Sequence, residues 1–184
     1  MQPAAEASPN FKARSAGAFY LLAIVSAVLG EFIVRGKFGL AAVVIPVSCY
    51  IAVTLFLYSL LKPVNKALSL FAACSSLSGL ACEALRRQPG HINIGMLFHG
   101  LFCLISGWLI ARSAFIPRIL GASMALAGLI WLIYFSPLLA RSLAPNNTAL
   151  GLIAEAAPML WLLATGVSPR EPRRNPPLAE NSRP

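Results

Sequence analysis

The sequence predicts an all-α integral membrane protein, a bundle of six transmembrane helices joined by short loops. Its composition is the first reason: 58% of the 184 residues are hydrophobic and 11% are charged, whereas a soluble domain carries about 25% charged residues. Its patterning is the second. The apolar residues fall into six runs of roughly 20 residues, the length that crosses about 30 Å of hydrocarbon as a helix.

The six predicted spans are separated by short polar or basic segments such as RGK, KPVNK and RSAFIPR. Because these links are short, consecutive helices should be antiparallel neighbours. The spans cover residues of about 15–34, 39–61, 65–85, 93–111, 118–140 and 149–167.

The distribution of Lys and Arg predicts the orientation. With the N-terminus inside, ten of the fifteen basic residues lie on the cytoplasmic side and five lie outside. Positive residues are enriched on the cytoplasmic side of membrane proteins, which favours an N-in/C-in protein of the cytoplasmic membrane.

The two ends of the chain differ from the apolar centre at 13–168. Residues 1–12 are predicted to be a flexible N-terminus, and 169–184 a disordered tail that is basic and rich in proline. The tail arginines suit either anionic lipid headgroups or simple solvation. The first apolar run is longer than that of a signal peptide, so a retained span is favoured over a cleaved one.

Several stretches of the chain resemble one family of bacterial multi-pass membrane proteins. ARSAGAFYLL opens the first run, GEFIVR closes it, and LLKPVNKALSL and RSAFIPRILGASMALAGLIWLI follow at later junctions. Between about Ala13 and Gly166 the chain resembles the domain-of-unknown-function family 4386. The resemblance implies an all-α membrane fold and brings no established activity. Family members usually have a longer outer segment after the first helix, which here shrinks to RGKFG.

Four ionisable residues are predicted to lie in one layer of the membrane: Glu31, Glu83, His99 and Glu155. His99 is six residues past the start of its run, about 9 Å deep, and Glu155 is about 10 Å deep from the same side. Small residues share their helical faces, and small residues mark helix–helix contacts in membranes. The four side chains should therefore face the bundle interior.

Their partners distinguish a structural interpretation from a functional one. Glu31 can pair with Arg35, and Glu83 with Arg86 or Arg87, as ordinary interfacial ion pairs. Glu155 and His99 have no oppositely charged neighbour on their own helices, and an unpaired buried charge is prohibitive. We therefore expect His99 to lie within hydrogen-bond or one-water reach of Glu155, either as a packing contact or as part of a site.

Other chemistries have weaker support. His99 and Cys103 stand at i and i+4 and form a possible metal edge with Glu155, but that spacing also suits any core face. The chain has no aspartate and a single intramembrane histidine, so we predict no catalytic residues, metal or cofactor. The four cysteines form no CxxC pair and should be free thiols. The basic residues are not clustered as nucleic-acid binding requires.

The sequence favours two functions over a third, an intramembrane enzyme. The first is a non-enzymatic structural or regulatory membrane protein whose polar layer fixes helix packing. The second is a carrier or ligand-binding protein, proton-linked or specific for a small molecule, that uses Glu155 and His99. The lipid bilayer is the one partner that the sequence identifies.

Overall fold

The structure is a computed structural model that describes residues 8–33, 39–85, 93–143 and 146–167, without the side chains of 27–28, 30–33 and 39–43. All regular elements in these ranges are helical. The described ranges contain seven α-helices, which are α1 (Pro9–Ile33), α2 (Gly39–Leu61), α3 (Lys66–Ala84), α4 (Ile94–Arg112), α5 (Arg118–Leu132), α6 (Pro137–Leu143) and α7 (Asn146–Thr165). The all-α prediction is confirmed for this part of the chain.

Five helices in the described ranges are long and apolar enough to cross a membrane: α2, α3, α4, α5 with the turn after it, and α7. Each coincides with one of the predicted spans. The remaining predicted span, the first, is the 25-residue helix α1. It begins at Pro9, ahead of the predicted start, because the Ser8 hydroxyl accepts a hydrogen bond from the Phe11 amide at 3.2 Å and caps the helix.

The predicted fifth span, 118–140, is not one continuous helix. α5 ends at Leu132, a single 3₁₀ turn covers Ile133–Phe135, and α6 starts afresh at Pro137. Ser136 between them is extended, with φ −104° and ψ 107°. Proline disfavours the helical conformation of the residue before it and cannot donate to the preceding turn, so Pro137 divides the apolar run.

The six long helices form a closed ring. Each packs against the next along the chain, and α7 closes the ring by packing against both α5 and α1. The interior of the ring is filled by buried side chains that include Val53, Leu57, Phe102, Met124 and Leu162. Large apolar side chains such as Leu129 and Ile153 are exposed on the outside, where a bilayer would cover them.

Glycines bring α4 and α5 into close contact. Gly107 of α4 faces Gly121 of α5, and Gly100 faces Gly128, so the two pairs repeat after seven residues in antiparallel register. A Cβ atom on Gly121 would lie 2.6 Å from the Gly107 carbonyl oxygen, and one on Gly107 would lie 2.7 Å from that of Gly121. The backbones therefore meet directly, as small residues permit between membrane helices.

We expect Gly121→Leu to destabilise the protein by about 1–3 kcal/mol or more, because the new side chain has to displace backbone atoms. Ala122→Leu is the matched control, since Ala122 is exposed on the same helix. The midpoint of thermal unfolding in detergent measures both. An equal effect of the two substitutions would contradict the close approach of α4 and α5.

Candidate functional site

The carboxylate of Glu155 lies at the centre of the ring and is 1% exposed. Three hydrogen bonds from three other helices reach it. Tyr50 of α2 donates its hydroxyl proton to Oε1. Trp131 of α5 donates its indole N–H to Oε2 at 3.1 Å, and Nε2 of His99 on α4 lies 3.1 Å from the same oxygen. Both carboxylate oxygens are thus satisfied, and four helices meet at one residue.

The predicted contact between His99 and Glu155 is present, although α4 and α7 are not adjacent in the ring. α5 lies between α4 and α7 in the ring, so the two side chains meet across the interior. The start of α4 sets the height of His99, because Asn93 caps that helix by accepting a hydrogen bond from the Met96 amide at 3.1 Å.

A glycine one turn before Glu155 makes room for the Trp131 indole. A Cβ atom on Gly151 would lie 2.9 Å from a ring carbon of Trp131. Because residues i and i+4 lie on the same face of a helix, the indole that rests on Gly151 directs its N–H to Glu155. A larger residue at 151 would exclude the ring from this position.

The imidazole of His99 takes part in several contacts at once. A carboxylate only accepts hydrogen bonds, so Nε2 carries the proton that faces Glu155. The same nitrogen lies 3.4 Å from the Tyr50 hydroxyl and 3.8 Å from the Cys103 sulfur. With two ring protons His99 forms an ion pair with Glu155, and with one proton, on Nε2, the neutral imidazole donates a hydrogen bond to the carboxylate.

Aromatic rings surround the imidazole. The centroid of the His99 ring is 5.3 Å from that of Tyr50 and 5.6 Å from that of Trp131. We call Tyr50, His99 and Trp131 the aromatic wall. These distances lie within the range of favourable aromatic contacts, so the three rings hold one another in place as well as binding Glu155.

A cavity of about 200 Å³ adjoins the aromatic wall, whose three residues line it. Glu83 from α3 also lines the cavity, together with apolar side chains and two glycines. These are Leu80, Met96, Leu152, Gly79 and Gly95. Two of the predicted site residues, Glu83 and His99, therefore share one cavity, and Glu155 supports its wall from behind.

Glu83 differs from Glu155 because one of its oxygens is unsatisfied. Oε1 is buried and has no hydrogen-bond partner in the part of the chain that the structure describes. Its carboxylate lies over Gly95, where a Cβ atom would come within 2.5 Å of Oε1. An orphaned buried acceptor is costly, and Glu83 lines a cavity that has room for a donor from a ligand.

The fourth predicted site residue, Glu31, has its side chain outside the described residues, as do the arginines considered as partners of Glu31 and Glu83. Sequence reasoning missed Tyr50 and Trp131. The sequence could have suggested them as hydrogen-bond donors, because Tyr and Trp each carry a polar tip on an apolar body and these two lie inside otherwise apolar runs. Depth alone did not select them, since other aromatic residues occupy the same runs.

His99, Cys103 and Glu155 could also offer ligands to a metal ion, since their ligand atoms lie within 4.8 Å of one another. Nitrogen, sulfur and oxygen ligands in this combination suit zinc. The Tyr50 and Trp131 hydrogen bonds already satisfy the carboxylate, however, so the arrangement is complete without an ion. All four cysteines are free, as predicted, although Cys74 is exposed rather than buried.

A helical ring in which five described helices are long and apolar enough to cross a membrane is typical of a multi-pass membrane protein. Residues 85–166 match the family model of a domain of unknown function, DUF4386. This match supports the predicted resemblance over that part of the chain, and it includes the RSAFIPRILG stretch. No curated protein and no solved structure matches the chain.

We expect Trp131→Phe to destabilise the protein by about 1–3 kcal/mol, because it removes one donor from a buried carboxylate. Trp108→Phe is the matched control. Trp108 is 41% exposed on α4 and stacks against Arg112 rather than Glu155. Thermal unfolding in detergent measures both variants, and an unchanged midpoint for Trp131→Phe would show that its bond to Glu155 contributes little.

Proposed function

We propose that this protein is a non-enzymatic, ligand-binding membrane protein that takes a small molecule into the cavity between Glu83 and the aromatic wall. In this proposal α1 is a sixth span, both termini are cytoplasmic, and the protein resides in the inner membrane. The side of the bundle that carries the cavity then faces outward.

One observation carries the proposal: a cavity of about 200 Å³ is lined by Glu83, whose buried Oε1 has no hydrogen-bond partner among the described residues. Ligand sites are mostly apolar concavities with a few well-placed polar groups, and this cavity has that character. A cavity of roughly 150 Å³ accommodates benzene, so the volume suits a molecule of about six to ten non-hydrogen atoms.

The Glu155 network supports this role by fixing the wall of the cavity. Tyr50, His99 and Trp131 each contact both Glu155 and the cavity, so their rings are held before any ligand enters. Binding to a wall already in place avoids the entropy of ordering side chains.

A purely structural role for the polar layer is the second candidate function. The full satisfaction of Glu155 favours it, because a carboxylate bonded by three helices needs no ligand to be stable. The two functions differ at the cavity. A structural layer tolerates a filled cavity, whereas a binding protein does not.

Met96→Trp should fill the cavity and abolish binding, while Met96→Leu, which conserves volume, should retain it. The readout is the thermal midpoint of the detergent-solubilised full chain with a panel of small amines, alcohols and carboxylic acids. A ligand of the native state raises that midpoint as its concentration rises. We expect at least one compound to stabilise wild type and Met96→Leu but not Met96→Trp. If none does, the binding role is wrong and the structural role stands.

The proposed orientation has its own test. We expect a cysteine-reactive reagent that cannot cross membranes to label Arg173→Cys only after intact cells are opened, because this position is assigned to the cytoplasm. The experiment uses a background in which the four native cysteines are serine. Labelling of Arg173→Cys in intact cells would place the C-terminus outside and overturn the N-in/C-in arrangement.

A further inference from the structure

We propose that the ligand of this cavity is a small organic cation, an ammonium group on a compact apolar body. This inference rests on the proposed function and names the chemistry of its ligand. It depends on three features of the cavity: its balance of charge, its aromatic wall, and its otherwise apolar lining.

The charged groups in and behind the cavity leave an acidic surplus. Glu83 lines it directly, Glu155 lies behind its wall, and His99 is the one basic group that lines it in the described ranges. His99 is already engaged with Glu155 at 3.1 Å, so no basic side chain is left for Glu83 among the described residues. With no basic partner among the described residues, the half-buried Glu83 side chain is stabilised by a cation that enters the cavity.

The aromatic wall is the second feature. Tyr50 and Trp131 present rings to the cavity, and the faces of Trp and Tyr attract cations within about 6 Å of their centroids. Aromatic rings combined with a carboxylate are the usual surroundings of a bound quaternary ammonium group. The rings cannot swing away from the cavity freely, since Glu155 holds both by hydrogen bonds.

The apolar lining then excludes the smallest cations. Leu80, Met96 and Leu152 offer no oxygen ligands to replace the hydration shell of a metal ion such as Na⁺ or Ca²⁺. They do offer contacts to methyl or methylene groups. A molecule that carries its charge within an alkyl surface satisfies both the carboxylate and these side chains.

The glycine under Glu83 fits the same interpretation. Because Gly95 lacks a side chain, the carboxylate lies flat against α4 at the edge of the cavity. A residue with a Cβ atom there would displace it. Gly95 thus positions the charge, and Gly95→Ala should weaken cation binding by displacing the Glu83 carboxylate.

The test compares choline with 3,3-dimethylbutan-1-ol, its uncharged isostere, on the full chain in detergent. Dissociation constants come from the dependence of the thermal midpoint on ligand concentration. We expect wild type to bind choline about tenfold to a hundredfold more tightly than the alcohol, and Glu83→Gln to remove most of that preference. Met96→Trp should bind neither.

The outcomes separate this inference from the proposed function. Equal binding of choline and the alcohol, abolished by Met96→Trp, would overturn the cation inference and leave a ligand-binding cavity in place. A preference for choline that survives Glu83→Gln would also overturn it. Choline binding that persists in Met96→Trp would place the site elsewhere and overturn it as well. Binding of no compound by wild type would overturn both proposals.

Discussion

The buried carboxylate of Glu155 constrains the rest of this structure. In an apolar bundle its oxygens have no water to bind, so protein donors must reach them or the residue has to be neutral. Tyr50, His99 and Trp131 provide these donors from α2, α4 and α5. Because each donor is fixed to its helix, the position of one carboxylate sets the rotation and the height of four helices at once.

The two described carboxylates of the interior, Glu155 and Glu83, differ in their hydrogen bonding because their surroundings differ. Glu155 lies where several rings converge, and both of its oxygens accept hydrogen bonds. Glu83 lies at the edge of a cavity, and its Oε1 has no hydrogen-bond partner among the described residues. The same physics applies to both groups. The hydrogen bonds to Glu155 make it a rigid centre, whereas Glu83 still lacks a donor for one oxygen among the described residues. A binding site needs both a rigid wall and a polar group that is free to bind a ligand.

Sequence patterns predicted the helices well because each span must satisfy its own backbone and cover the hydrocarbon alone. They also placed His99 and Glu155 at one depth, since depth follows from counting residues along a helix. Ring order lies beyond such counting. Nothing in the separate spans shows that α7 would pack between α5 and α1, or that Tyr50 and Trp131 among many aromatic residues would point at Glu155. Pro137 could have predicted the break in the helix at Ser136, but the long apolar run around it favoured one continuous span.

The order of the groups around Glu155 has a consequence for how the protein is made. All three donors belong to helices that precede α7 in the chain, and the acceptor arrives with the last helix. Until then Tyr50, His99 and Trp131 stand in the bilayer without their common partner, and the ring is open between α5 and α1. The polar centre is therefore completed only when α7 is in place. A protein truncated before α7 would display unpaired polar groups to the membrane, the kind of defect that cellular quality control can detect.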